Sequence, residues 1–234
     1  LKATLPARPL HPRIAEYLSG LEPGSFALTR GRASEEIAGP HWPANEGGKV
    51  ARLVDEAAGE RYDIQFDQKA IARVTIDLDR MVVAKEIGRY AEHGIHEREL
   101  HWLERLRGSG IVPDMLSHPP RTILMSYVGE PVRQYNLPAD WPAQADFILT
   151  RLKEHGCCHN DIKCDNLTVL RGRLYLVDFG WATRIGEPIP ATWPTGIGRQ
   201  HRLGIHRFDD RHAIHAALES AARDAVDRSI VMPQ

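Results

Sequence analysis

The sequence predicts an α+β protein, with a first half rich in strands around one inserted helix and a second half that is helical apart from a hairpin. Three observations predict this. Short β-rich runs separated by polar turns fill residues 61 to 87. Two stretches near 95–106 and 142–156 carry apolar residues at helical spacing and stop at glycine. After the second of these come a polar loop and a hairpin pattern, LTVL-RGR-LYLVDFG, and then a long final helical stretch.

Residues 1 to 48 are rich in Pro and Gly, with EPG and AGPHWPANEGG, and read as an N-terminal extension of loop character with one short helix near Arg13 to Leu18. From Arg61, RYDIQF, AIARVTI and MVVAKEI read as three strands of an antiparallel meander, joined by the polar turns DQK and DLDR. In GIHERELHWLERLRGSG, Leu100, Leu103 and Leu106 share a helical face, and Gly108 and Gly110 supply the stop. VPDMLSH and RTILMSYV follow as two more strands joined at Pro119-Pro120, which completes a five-stranded sheet with its helix after the third strand. After GEP at 129–131, PAQADFILTRLKEHG is amphipathic, with Phe147, Ile148 and Leu152 on one face and Gly156 placed to cap it. Residues 181 to 208 read as loop, with Pro188, Pro190 and Pro194. DDRHAIHAALESAARDAVDRSI is a final helix opened by an Asp at its N-cap.

Composition narrows the function classes. A formal net charge of -1 in 234 residues argues against a globally basic nucleic-acid binder. Three cysteines make no paired disulfide framework, which fits a reducing compartment and a cytoplasmic location. No apolar run approaches the roughly 18 residues of a transmembrane segment, and LKATLPARPLHP has no apolar core like that of a signal peptide. The chain starts at Leu1 rather than Met, as a piece of a longer protein would.

The densest chemistry lies in CCHNDIKCDN, residues 157 to 166. Cys157, Cys158, His159 and Cys164 are zinc-ligand types, but neighbours in sequence point different ways and no CxxC pair supports them. The adjacent cysteines read instead as small hydrophobes at a helix-to-strand connection. Phosphoryl transfer fits better. It needs a carboxylate at the attacking hydroxyl, oxygen ligands for magnesium and fixed positive charge on the phosphates. Asp161 lies five residues before Asn166, and Asp178 twelve residues after it, at the end of an apolar strand. One carboxylate can face a nucleophile while the Asn amide oxygen and the second carboxylate hold Mg²⁺.

HNDIKCDN followed by DFG resembles the catalytic and metal-binding loops of the protein-kinase superfamily, H-R-D-L-x-x-x-N then D-F-G. The resemblance implies a protein-kinase-like two-lobe fold. A β-rich N-lobe with one helix would span 49–128 and a reduced helical C-lobe 129–234, behind the 1–48 extension. It implies MgATP as phosphoryl donor. VVAKEI is similar to the family's V-A-I-K strand, so Lys85 would hold the inner phosphates, braced by Glu99 or Glu97 of the next helix, with Glu99 favoured. ILMSYVGEP resembles the hinge whose backbone meets adenine, near Met125 and Tyr127. By the same resemblance Asp161 orients the acceptor hydroxyl, Lys163 offsets charge on the moving phosphoryl, Asn166 and Asp178 ligate Mg²⁺, and His159 packs beneath the loop.

The chain departs from the family in places. No G-x-G-x-x-G occurs; either DQK or AAGERY would have to cover the phosphates, so that loop stays unassigned. His-Asn-Asp replaces His-Arg-Asp, which implies activity that needs no phosphorylated activation segment. The A-P-E element is missing and only 54 residues follow Gly180. FDDRHAIHAAL resembles the central C-lobe helix, with Asp209 or Asp210 at its start. Such short cores resemble bacterial sugar, lipopolysaccharide and small-molecule kinases. The acceptor implied is a hydroxyl of a glycan, lipid-linked sugar or small metabolite. Arg199, Arg202 and Arg207, with His201 and His206, are either a patch for an anionic acceptor or a solvated loop. A minimal Ser/Thr protein kinase, favoured by Lys163, and a nucleotide-binding pseudokinase are the alternatives.

Overall fold

The structure, a computed structural model, describes residues 9–21, 26–34, 48–66, 72–87, 91–194 and 209–229. The arginine patch at 199–207 and the DQK turn lie outside the described residues. In chain order the elements are α1 (Pro12–Ser19), β1 (Phe26–Arg32), β2 (Gly48–Asp55), β3 (Glu60–Phe66), β4 (Ala72–Asp77), β5 (Val82–Ile87), α2 (Ile95–Arg105), β6 (Met115–Ser117), β7 (Thr122–Ser126), β8 (Glu130–Pro131), α3 (Trp141–Glu154), β9 (Cys157–Cys158), β10 (Leu167–Leu170), β11 (Arg173–Leu176), β12 (Thr183–Arg184) and α4 (Asp210–Ser229). The fold is mixed α+β. No helix among the described residues is long and apolar enough to cross a membrane.

All five expected strands of the first half form, but among the described residues the sheet has seven, in the order β1-β3-β2-β4-β5-β7-β6. The stretch read as loop contributes β1, which pairs with β3 along its whole length. The meander is also corrected. β2 lies between β3 and β4, antiparallel to the first and parallel to the second. Lys49, Arg52 and Asp55 break up the apolar pattern of β2, and β1 is a largely exposed edge strand, so neither presents a clear strand signal.

Paired residues of neighbouring strands share a sheet face. The register therefore sets Lys49, Val74, Lys85 and Ile123 in one row across one face. The next row is Ile64, Ala51, Ile76, Val83 and Met125. Both helices of this half pack on that face. α1 starts at His11, whose side chain accepts the Arg13 N–H, with Pro12 in the first turn. It buries Ile14 over Ala51, Leu53, Tyr62, Ile64 and Leu78. α2 buries Ile95, Trp102 and Leu103 against Ile87, Ile123 and Met125, and this core continues into Ile148 and Leu152 of α3 and Ile214 and Leu218 of α4.

The buried stripe of α3 is Ala145, Ile148 and Leu152. Phe147, expected on that face, is 39% exposed, with the Arg151 guanidinium over its ring. Residue 147 stands about 100° from 148 around a helix, so only one of the two can face the core. Gly156 follows α3 in the left-handed region, φ 68°, and its N–H donates to Lys153 O. Gly129 has φ 97°, and a Cβ there would lie 1.9 Å from Val169 O, so only glycine lets the chain leave β7 this close to β10. Asp209 Oδ1 accepts the His212 N–H at 3.1 Å and is the N-cap of α4.

Candidate functional site

Three elements converge on the end of Lys85. Its Nζ lies 2.8 and 2.7 Å from Glu99 Oε1 and Oε2, and 2.7 Å from Asp178 Oδ1. Glu99 is the residue that α2 turns inward, because it belongs to the buried stripe Ile95, Glu99, Trp102, Leu103 at spacing i, i+4, i+7, i+8. The side chain of Glu97 is 77% exposed, so the lysine partner is Glu99. Burial pushes Glu99 up to about 7 against the pull of Lys85. Burial also acts to raise Asp178, but the Lys85 ammonium outweighs it and holds that carboxyl down to about 2. For Lys85, burial favours the neutral amine, yet Asp178 and Glu99 together raise its pKa. The cluster holds one cation between two carboxylates, and Glu99 is the acid that protonates first.

Asp178 follows β11 in the left-handed region, φ 67°. The Val177 N–H donates to Asn166 O at 2.9 Å, which ties this corner to the polar loop. Beyond it, Phe179 packs edge-on to His159 with ring centroids 4.7 Å apart. A Cβ on Gly180 would stand 3.2 Å from Ile95 Cβ, so the chain passes close under α2. Arg98 of α2 donates to Gly180 O at 2.8 Å and lies over the Trp193 ring.

The loop itself is pinned from below. Asp210 accepts the backbone N–H groups of His159 at 2.6 Å and Asn160 at 2.9 Å, and burial raises its pKa in spite of these donors. Of the two aspartates opening α4, Asp210 therefore anchors the loop and Asp209 caps the helix. His159 is fully buried; its Nε2–H donates to Val177 O at 3.0 Å and burial lowers its pKa. Asn160, at φ 66°, donates its side-chain amide to Trp181 O and Thr183 Oγ1, both at 2.9 Å.

Asp161 is 4% exposed, and burial raises its pKa against the influence of Lys163. Lys163 Nζ and Asn166 Nδ2 both donate to its Oδ2, at 2.9 and 3.2 Å, so Oδ1 is the oxygen left to meet a third group. Asn166 Nδ2 also donates to Asp161 O at 2.8 Å, so the amide oxygen is the Asn166 atom that could hold a cation. With Asp178 Oδ2 this makes two hard oxygen donors, which fits Mg²⁺, an ion that keeps waters and phosphate oxygens in its shell. Among the described residues no cluster of three or more His, Cys, Asp or Glu forms a metal site.

Met125 is buried on β7 opposite Val83. The Tyr127 N–H donates to Met81 O at 2.9 Å, so that N–H is used inside the fold. AAGERY falls on the β2–β3 turn and the start of β3, at the far end of these strands from Lys49 and the Lys85 row. Burial pushes the Cys157 thiol up, and Cys164 Sγ donates to Ala217 O. One buried acid, Glu130, was not singled out from the sequence. It accepts from Tyr17, 113 residues away, and Lys49, 81 residues away, and no local pattern marks such a partner set. No protein-family model matches this chain, and no curated protein matches it.

Proposed function

We propose that the chain is an ATP-dependent phosphotransferase of protein-kinase-like two-lobe arrangement, moving the γ-phosphoryl of MgATP to a hydroxyl. The observation that carries this reading is the meeting of Lys85, Glu99 and Asp178 beside a loop whose Asp161, Lys163 and Asn166 share one hydrogen-bond network. Lys85, fixed by Glu99, is the cation for the inner phosphates. Asn166 and Asp178 are the Mg²⁺ ligands; the ion neutralises charge on the phosphates when bound. Asp161 offers Oδ1 to the acceptor hydroxyl, orients it and takes its proton late in transfer. Lys163, beside it, offsets charge on the transferring group.

No Arg follows His159, and Asn160 instead ties the loop directly to residues 181 and 183. The site is then assembled without a phosphorylated segment. The acceptor class we favour is a glycan, lipid-linked sugar or small metabolite, as the resemblance to short bacterial sugar and small-molecule kinase cores implies. Lys163 at 2.9 Å from Asp161 favours a second reading, a minimal Ser/Thr protein kinase. The complete lysine, aspartate and asparagine set argues against a pseudokinase. The cysteine thiols suit a cytoplasmic setting.

Calorimetric titration with ATP, with and without Mg²⁺, tests the site. Wild type binds MgATP, Asp178→Ala loses the Mg²⁺-dependent part, and Asp161→Asn keeps binding while losing transfer in an acceptor screen. Binding that Asp178→Ala leaves intact would sink the assignment.

A further inference from the structure

We propose that Lys49 is a second cationic contact for the phosphates of the nucleotide, doing by charge what a glycine-rich lid does with backbone amides. The proposal rests on the nucleotide site described above. β2, the strand inserted between β3 and β4, is what brings Lys49 there. Lys49 pairs with Val74, and Val74 pairs with Lys85, so both lysines stand on one face in one row. Two strand spacings separate them, about 10 Å.

The two lysines are held in the same manner. Lys85 is braced by Glu99, and Lys49 Nζ is ion-paired with Glu130 Oε2. Glu130 is buried and is itself fixed through Oε1 by the hydroxyls of Tyr17 at 2.6 Å and Tyr127 at 3.0 Å. The ammonium also lies 4.4 Å from the centroid of the Phe66 ring, and the side chain is 16% exposed. Glu130 belongs to β8, which pairs with β10, the strand leading out of the Asp161–Asn166 loop. The Lys49–Glu130 pair therefore spans from the large sheet to the elements that carry the catalytic loop. An ammonium has three donors. Glu130 takes one, and the others remain for an anion on the face that Lys85 shares.

A charge that acts on phosphate must discriminate ATP from adenosine, whereas a purely structural residue affects both alike. Lys49→Met should weaken MgATP binding about tenfold or more, as loss of a charged hydrogen bond does, with adenosine affinity unchanged. Lys49→Arg should restore most of the difference. Both variants leave Glu130 its two tyrosine donors, so the fold is expected to survive. Equal loss for ATP and adenosine, or no loss for either, overturns the role of Lys49. Asp178→Ala, titrated alongside, separates the two readings. If it retains MgATP binding, the phosphotransferase site falls. If it loses binding while Lys49→Met does not, only Lys49 falls.

Discussion

Replacing Lys85 with methionine tests the electrostatics of the site with no ligand present. Methionine keeps an unbranched apolar stem, so packing changes little. The cation between Glu99 and Asp178 is lost, and Glu99 is 1% exposed. Breaking a buried ion pair by removing one partner costs about 3–5 kcal/mol. Proton uptake limits that loss. Burial already raises Glu99 to about 7 from its ordinary 4.5, and Lys85 is the group that pulls it down. Without Lys85 its folded pKa climbs further. A raised folded pKa contributes stability that is fully present below 4.5 and is lost as pH rises through the folded value. In wild type that window closes near 7; in Lys85→Met it extends above 7. The stability gap between the two proteins is therefore smaller at pH about 5 than at pH about 8.5, where it reaches about 3–5 kcal/mol. What remains at acid pH is the lost attraction on Asp178. Urea unfolding at three pH values measures the gap, and Lys85→Met combined with Glu99→Gln should close most of it at high pH. A gap that does not change with pH would refute the coupling.

Two further outcomes probe the frame around the site. Asp210→Ala removes the acceptor of the His159 and Asn160 N–H groups and should cost about 2–6 kcal/mol, at 1–3 per stranded donor. Asp209→Ala removes only a helix cap and should cost about 1 kcal/mol; equal losses in chemical denaturation would remove Asp210 as the anchor of the loop. Gly129→Ala forces a Cβ to 1.9 Å from Val169 O at φ 97° and should destabilise by more than about 3 kcal/mol. A melting temperature within a degree or two of wild type would contradict the close approach of this turn to β10.

Local pattern was enough for much of the chain. The sequence drew the stripe of this helix through Leu100, Leu103 and Leu106 and left the acid between Glu97 and Glu99; the buried stripe Ile95, Glu99, Trp102 and Leu103 decides for Glu99. The spacing of Asp161, Asn166 and Asp178 around a short hairpin already predicted that they meet, since a tight turn at Arg171-Gly172 returns the strand to its start. Phe147 shows the limit of such reading, because two adjacent apolar residues both fit a loosely drawn stripe and packing admits one.

By itself the sequence determined where most helices and strands lie, which face of each is apolar, and which polar residues gather in the 157–166 loop and at Asp178. Those properties depend on neighbours within one or two turns of chain. The tertiary structure alone decided that β2 lies between β3 and β4, that Lys49 shares a face with Lys85, and that Glu130 collects Tyr17, Tyr127 and Lys49. Periodicity tells which side of an element is buried. It carries no information on which distant element covers that side, and the register of strands far apart in sequence is settled only when they pack.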